Sequence, residues 1–426
     1  MKCTIEIFHN NQWHEAATFM PAPDVTTKGY KSAGRLSYDT LYAAQYSEQG
    51  ISAAVSCRYP VNFEIHKEEA WAAFLLDILP SGAGRRFWLQ KLGIRDGASA
   101  DWSLLCQGAG NPIGNLRIRE AVKILDSNTP HLGFSYDEVL SRGDAFIEYA
   151  YQHGAPIAGS SGAQGDAPKF LLTQDKNQRW HGDGTLPDDQ CSKYWLVKFP
   201  RSNRLDDVRV LRNEAAYYAV AQWFGVRTGQ ALELAQDALF IPRFDRVVKG
   251  DQVQRLGVES LTSLAGISDF GMATSQNKYC HVIAQYTTQP ETELLEFVRR
   301  DVLNVALGNT DNHGRNTAVI RYPDNQVWLS PLYDFAPMIL DSQGIARVSR
   351  WENEEHYGQP EWVLVAKFLI QLGCNPTKVY ALFNDVTQKL LILPQILDKF
   401  GVDKALQQQL QPRIQTVLQH LQAVKP

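Results

Sequence analysis

The stretch "LGNTDNHGRNTAVIRYPDNQVWLSPLYDFAPM", residues 307–338, decides how this chain is read. It crowds Asn, Asp, His, Gly and Arg into a few positions and then turns abruptly apolar. "TAVIRY" and "VWLS" are β-branched and aromatic runs, and the "PDNQ" between them is turn-forming, so the pair predicts a β-hairpin. A hairpin returns the chain to where it began, which is expected to bring Asp334 close to Asp311 and Asn316. Two carboxylates and a carboxamide converging in this way suit Mg2+, a hard cation that takes a few side-chain oxygens and completes its shell with phosphate and water. The spacing Asp311-x-x-x-x-Asn316 is that of a kinase catalytic loop. There the Asp orients the attacking hydroxyl, the Asn holds a metal, and a second Asp bridges metal and phosphates. A polar loop entering a strand is also an ordinary turn, so the reading depends on partners elsewhere.

Those partners occur upstream, in kinase order. "GSSGAQG" (159–165) is a glycine-rich loop in which Gly159, Gly162 and Gly165 let backbone amides approach an anion. Lys198 sits in the strand-like "YWLVKFP", and Glu214 lies on the following helix, where it could pair with the lysine. "LFIPRFDR" (239–246), containing Ile241, Arg243 and Phe244, reads as a linker whose backbone could hydrogen-bond an adenine. His313 could donate to a phosphate or pin the loop.

The 426 residues allow two or three domains, or two lobes around a cleft. A formal charge of -4 gives no global basic field for nucleic acid, although a local patch is compatible with it. The six cysteines form no C-x-x-C pair, which argues against zinc and a disulfide framework and suits a reducing cytoplasm. The N-terminus has no signal-peptide h-region, and "AWAAFLLDILP" (70–80) is too short to span a bilayer. A cytoplasmic protein without membrane contact is expected.

Residues 1–125 read as a β-rich subdomain with one apolar helix near 67–78. Residues 126–250 read as a nucleotide-binding region. It holds a helix over 135–154 opened by a Ser135/Glu138 capping box, the strands "KFLLT" and "YWLVKFP", a helix over 208–224 ended by Gly225, and the strand "ALFIPRF". Residues 251–426 read as a helical lobe carrying the catalytic and metal loops, with a seam near 246–256. In it Leu294, Leu295, Val298, Val302 and Val305 fall at helical spacing, and the last fifty residues form two or three helices. The expected class is α+β: a two-lobed protein-kinase-like fold with a β-rich N-terminal subdomain and a helical C-terminal lobe.

The set of motifs resembles the HipA family of bacterial Ser/Thr protein kinases, the toxin halves of toxin–antitoxin modules. "SSGAQ" is similar to the family's S-x-x-G-x-Q loop, "WLVKFP" to I-x-K-x-P, "RNEAAYY" to N-E-Y-x-C and "RFDR" to the hinge end. "NTDNHGRN" resembles T-D-x-H-x-K-N and "PLYDFAP" resembles P-x-Y-D. "DILPSGAGRR" and "DWSLLCQGAGNPIGNLRI" extend the likeness over nearly the whole chain. Gly159 replaces a frequent serine, Pro242 an acidic hinge residue, and Arg315 the usual lysine, which keeps charge but changes hydrogen-bond geometry.

The resemblance implies ATP and Mg2+ as cofactors, with Asp311 and Asn316 catalytic and Asn316 and Asp334 on the metal. It implies nucleotide contacts from Gly159, Ser161, Gly162, Ala163, Gln164, Lys198, Glu214, Ile241, Arg243, Phe244, His313 and Arg315. It also implies autophosphorylation at Ser160 or Ser161, a protein substrate such as an aminoacyl-tRNA synthetase, and a helix-turn-helix antitoxin through which DNA is contacted. Two other readings stay open: a small-molecule kinase, and a catalytically weak kinase-like scaffold.

Overall fold

The computed structural model describes residues 1–125, 132–153, 168–202, 204–272, 274–341, 344 and 346–425. The glycine-rich loop Gly159–Gly165, with Ser160, Ser161, Ala163 and Gln164, lies outside the described residues. Contacts divide the chain into two units. The first is Met1–Phe199 with Phe240–Met272 and Ala318–Val327; the second is Pro200–Leu239, Ala273–Thr317 and Trp328–Pro426.

In the first unit, period-two alternation of Cys3, Ile5 and Ile7 against polar residues builds a half-buried strand, Cys3–His9. It lies between Gln12–Pro21 and Leu116–Ile118 in a five-stranded sheet completed by Gly34–Tyr38 and Ile65–Glu68. The apolar helix expected near 67–78 does not form. Residues 65–68 are instead the sheet's edge strand, with His66 opposite Leu36, and only Leu75–Ile78 makes a helical turn. Trp71 to Leu76 are buried without a polar face, so the run carried no periodicity to distinguish helix from other buried chain. Trp71 anchors this core edge-on to Phe19, with ring centroids 5.7 Å apart.

A second sheet in this unit pairs Lys169–Asp175 antiparallel with both Trp180–Gly182 and Cys191–Lys198. The Ser135/Glu138 capping box is present. The predicted 135–154 helix is broken, however, into Tyr136–Ser141 and Asp144–His153, because Arg142 turns left-handed at φ 54° just before Gly143. Downstream, Arg246–Lys249 and Gln252–Arg255 form a hairpin. Gly257–Ser260 then pairs antiparallel with Ala318–Arg321, the first strand of the predicted 317–330 hairpin. The hairpin turn is closed by Tyr322 N donating to Gln326 O and Asn325 N donating to Tyr322 O, and Val327–Leu329 follows as a strand.

The second unit supplies most of the long helices. Leu205–Phe224 ends at Gly225, which caps it at φ 88°, a conformation glycine adopts without strain. Pro290–Ala306 buries Leu294, Val298, Val302 and Val305 as their spacing requires. After residue 375 come Pro376–Leu391, Leu393–Lys399 and Lys404–Gln422, three helices as predicted. The chain is therefore a mixture of helix and sheet. No helix among the described residues is long and apolar enough to cross a membrane.

Candidate functional site

Asp311, Asn316 and Asp334 all lie in the second unit. Helix Pro290–Ala306 hands over to the loop at Leu307, whose carbonyl accepts from Tyr217 Oη at 3.0 Å. Gly308 then turns the chain at φ 64°, and a Cβ there would press on Ile339 at 3.1 Å. Within the loop, Asn316 Nδ2 donates to the backbone carbonyl of Asp311 at 2.9 Å and lies 3.5 Å from its Oδ2. His313 Nε2 is 3.2 Å from Asp311 Oδ1. The Asp311 carboxylate is thus set between His313 and Asn316. Gly314 has a different reason to be glycine: its Cβ would fall 2.3 Å from the Tyr279 hydroxyl, which instead accepts from Gly314 N.

Asp334 follows the hairpin and is bracketed by three tethers, two to the same loop and one to the tyrosine that supports its start. Tyr333 Oη donates to Arg315 O at 2.7 Å. Phe335 packs on Tyr217 with centroids 5.6 Å apart, the tyrosine that also holds Leu307. Ile339 N donates to Gly308 O at 3.0 Å. Asp334 itself sits at φ 53°, outside the comfortable range of an L-residue, and such strain tends to be kept where function needs it.

The donor set is suited to Mg2+. Asn316 must turn its nitrogen towards the Asp311 carbonyl, since two oxygens would repel there, and this leaves Oδ1 as the end available to a cation. With the Asp334 carboxylate that makes two hard oxygen donors. Among the described residues no group of three or more His, Cys, Asp and Glu could hold a metal.

The remaining candidates are distributed between the units. Lys198 ends the Cys191–Lys198 strand of the first unit and is buried, at 4% exposure, opposite Lys169 in register. Glu214 is buried in the Leu205–Phe224 helix of the second unit. Ile241 lies in strand Ala238–Pro242, with Phe244 just beyond it. Arg243 makes both backbone and side-chain contacts within the first unit. Its amide donates to Tyr194 O at 2.9 Å, and its guanidinium donates twice to Asp245 and once to Asp183. Arg246 and Gly114 N complete this buried cluster around Asp245. The motif "RFDR" marked Arg243 and Asp245; Asp183, far off in sequence, carried no signal.

A family model described as the HipA-like C-terminal domain matches residues 160–391, more than half of the chain, and takes in Lys198, Glu214, Asp311, Asn316 and Asp334. The chain belongs to the HipA-like C-terminal domain family. The five-stranded N-terminal sheet lies outside the matched residues. Two Sinorhizobium fredii proteins are similar to the chain. The one named "Putative kinase Y4dM" is 27% identical over 186 residues, 40% of this chain and 43% of that protein, so the match spans under half of that relative. The one named "Putative kinase Y4mE" is 22% identical over 310 residues, 69% of this chain and 70% of that protein. Among solved structures, a chain from the Shewanella oneidensis MR-1 toxin–antitoxin complex of HipA, HipB and operator DNA has the same fold. Its TM-score is 0.67 at 16% identity, covering 99% of this chain and 96% of that one.

Proposed function

We propose that this HipA-like chain is an ATP- and Mg2+-dependent kinase that transfers the γ-phosphate to a Ser or Thr hydroxyl of a protein. The observation that carries the reading is the tethering of the Asp334 segment to the Asp311–Asn316 loop by Tyr333 and Arg315 O, and to the supports of that loop's start through Phe335 and Tyr217 and through Ile339 and Gly308 O. In this reading the tethers hold the proton acceptor Asp311 and the oxygen donors Asn316 and Asp334 to a single site. The two Sinorhizobium fredii relatives named as kinases support the same reaction class.

In this reading Asp311 accepts a hydrogen bond from the acceptor hydroxyl and orients its oxygen towards the phosphorus. His313 and Asn316 hold the carboxylate still, so little reorganisation is needed at the moment of transfer. Asp334 and Asn316 Oδ1 would hold Mg2+, which when bound neutralises charge on the phosphates. Arg315 supplies further positive charge towards them, and Lys198 is proposed as a nucleotide contact on the family resemblance. Ser160 or Ser161 is proposed as the site of autophosphorylation. The added charge, about -1.5 to -2, would compete with nucleotide phosphates for the same amides.

The solved neighbour was crystallised with HipB and operator DNA, and we extend to this chain a growth-inhibiting role with a DNA-bound helix-turn-helix antitoxin as partner. Incubation with Mg2+ and γ-labelled ATP, followed by separate recovery of protein and metabolite acceptors, tests the reaction. Label on protein Ser or Thr supports it. Label on metabolites alone would make the chain a small-molecule kinase, and no label anywhere would leave a kinase-like scaffold.

A further inference from the structure

The segment after Asp334 does not leave the catalytic loop but comes back to it. Val348 N donates to Thr310 O at 3.2 Å. One residue on, Ser349 N donates to Asn312 Oδ1 at 3.1 Å, and Asn312 Nδ2 donates to Ser349 O at 2.9 Å. The carboxamide of Asn312 therefore acts as a peptide group, exchanging both hydrogen bonds with one backbone residue as paired strands do. Both residues are buried, which makes each unmade bond there costly.

The other edge of this strap is fastened to the helix that precedes the loop. Asp301, 1% exposed, accepts from Arg347 Nη2 at 2.8 Å, Trp351 Nε1 at 2.8 Å and Gln276 Nε2 at 2.9 Å. Arg347 Nε also donates to Ser349 O at 3.1 Å. The loop residue next to Asp311 and the helix behind it thus grip the same five-residue strap, Arg347–Trp351.

We propose that Asn312 is a positioning residue for phosphoryl transfer: its two-way clip to the Ser349 backbone, backed by Asp301, fixes the orientation of Asp311. This rests on the kinase reading. Asn312 touches neither nucleotide nor metal in it, so the clip acts on the rate of transfer and not on nucleotide affinity. A catalytic group displaced by about 1 Å loses on the order of 10²-fold in rate, and a loosened loop samples that range.

The test compares Asn312→Gly and Asn312→Asp with the full-length wild type. Transfer of the γ-phosphate of Mg-ATP to the protein itself and to water is followed, with ATP affinity by calorimetry and amide exchange at Val348 and Ser349. Asn312→Asp keeps the acceptor for Ser349 N but sets an anion against Ser349 O, so it covers the case in which glycine unfolds the loop. The expected result is a rate about 10- to 100-fold lower, ATP affinity within twofold of wild type, and faster exchange at both amides. Wild-type rates in both variants would overturn the clip while leaving the kinase reading intact. So would weakened ATP binding with an unchanged turnover. A wild type that transfers phosphate to nothing would overturn the kinase reading and this role together.

Discussion

Tyr333 donates its phenolic hydrogen to the backbone carbonyl of Arg315 at 2.7 Å, joining the residue before Asp334 to the residue before Asn316. The two donors proposed for the metal are thereby coupled through their neighbours. A single bond of this kind contributes about 1 kcal/mol net, and its loss leaves the Arg315 carbonyl to find another partner. Tyr333→Phe should lower unfolding stability by about that amount and slow transfer several-fold, read by chemical denaturation and by initial rates. A variant with unchanged stability and rate would show that the other two tethers suffice.

Asp334→Ala should weaken nucleotide binding and abolish its stimulation by Mg2+. Calorimetric titrations with ATP, with and without the cation, give the comparison. Unchanged Mg2+-dependent binding would move the metal away from Asp334. Because Asp334 stands at φ 53°, Asp334→Gly is expected to be the more stable of the two variants: it relieves backbone strain while losing the same carboxylate.

Lys198→Met keeps the length of a side chain that is only 4% exposed and removes its charge. Nucleotide affinity should fall by about tenfold, the loss of one charge-assisted phosphate contact of roughly 1.5 kcal/mol. Circular dichroism should show the fold retained. Equal ATP affinity in wild type and variant would reassign the lysine to a structural role.

Much of the candidate site could be read locally because its parts are close in sequence. The Asp311–Asn316 spacing and the hairpin that carries the chain round to Asp334 are local features, and their turn and strand chemistry is written in adjacent residues. The supports were not. Tyr217, Tyr279 and Ser349 act on the loop from 35 residues away or more, and a tyrosine or a serine backbone carries no pattern that names a distant carbonyl. The burial of Lys198 was hidden for the same reason, since a strand's alternation gives a face but not what covers it. In the fold, the 135–154 helix was over-extended because Arg142, an ordinary helix former, is the residue turned left-handed. The 67–78 helix was read into a run that is buried on all sides from Trp71 to Leu76.

The Arg243, Asp183, Asp245 and Arg246 cluster should govern acid stability. Burial alone would raise the Asp245 carboxyl, but Arg243 and Arg246 outweigh it and hold it well below the ordinary carboxylate range. Asp183 is lowered in the same way, chiefly by Arg243 against its burial. A depressed folded value means the stabilisation is fully present above the unfolded carboxyl's value, about 3.9, and is lost as pH falls below it. Wild-type stability should therefore be flat near neutrality in this component and decline below about pH 4. Asp245→Asn should cost about 3–5 kcal/mol at pH 7, because two buried guanidinium groups lose a counter-charge, and should flatten the acid limb. Denaturant titrations at pH 7 and pH 3 measure both; an unchanged acid limb in the variant would assign the loss to other carboxylates.

The most direct test of the central claim is the phosphoryl-transfer rate of Asp311→Asn under saturating Mg-ATP. The substitution keeps the side chain's shape, the backbone carbonyl that accepts from Asn316 and an oxygen facing His313, and removes only the charge and basicity. The account predicts a rate lower by about 10²–10⁴-fold with ATP affinity essentially unchanged. A rate near that of wild type would contradict the assignment of residues 309–316 as the catalytic loop.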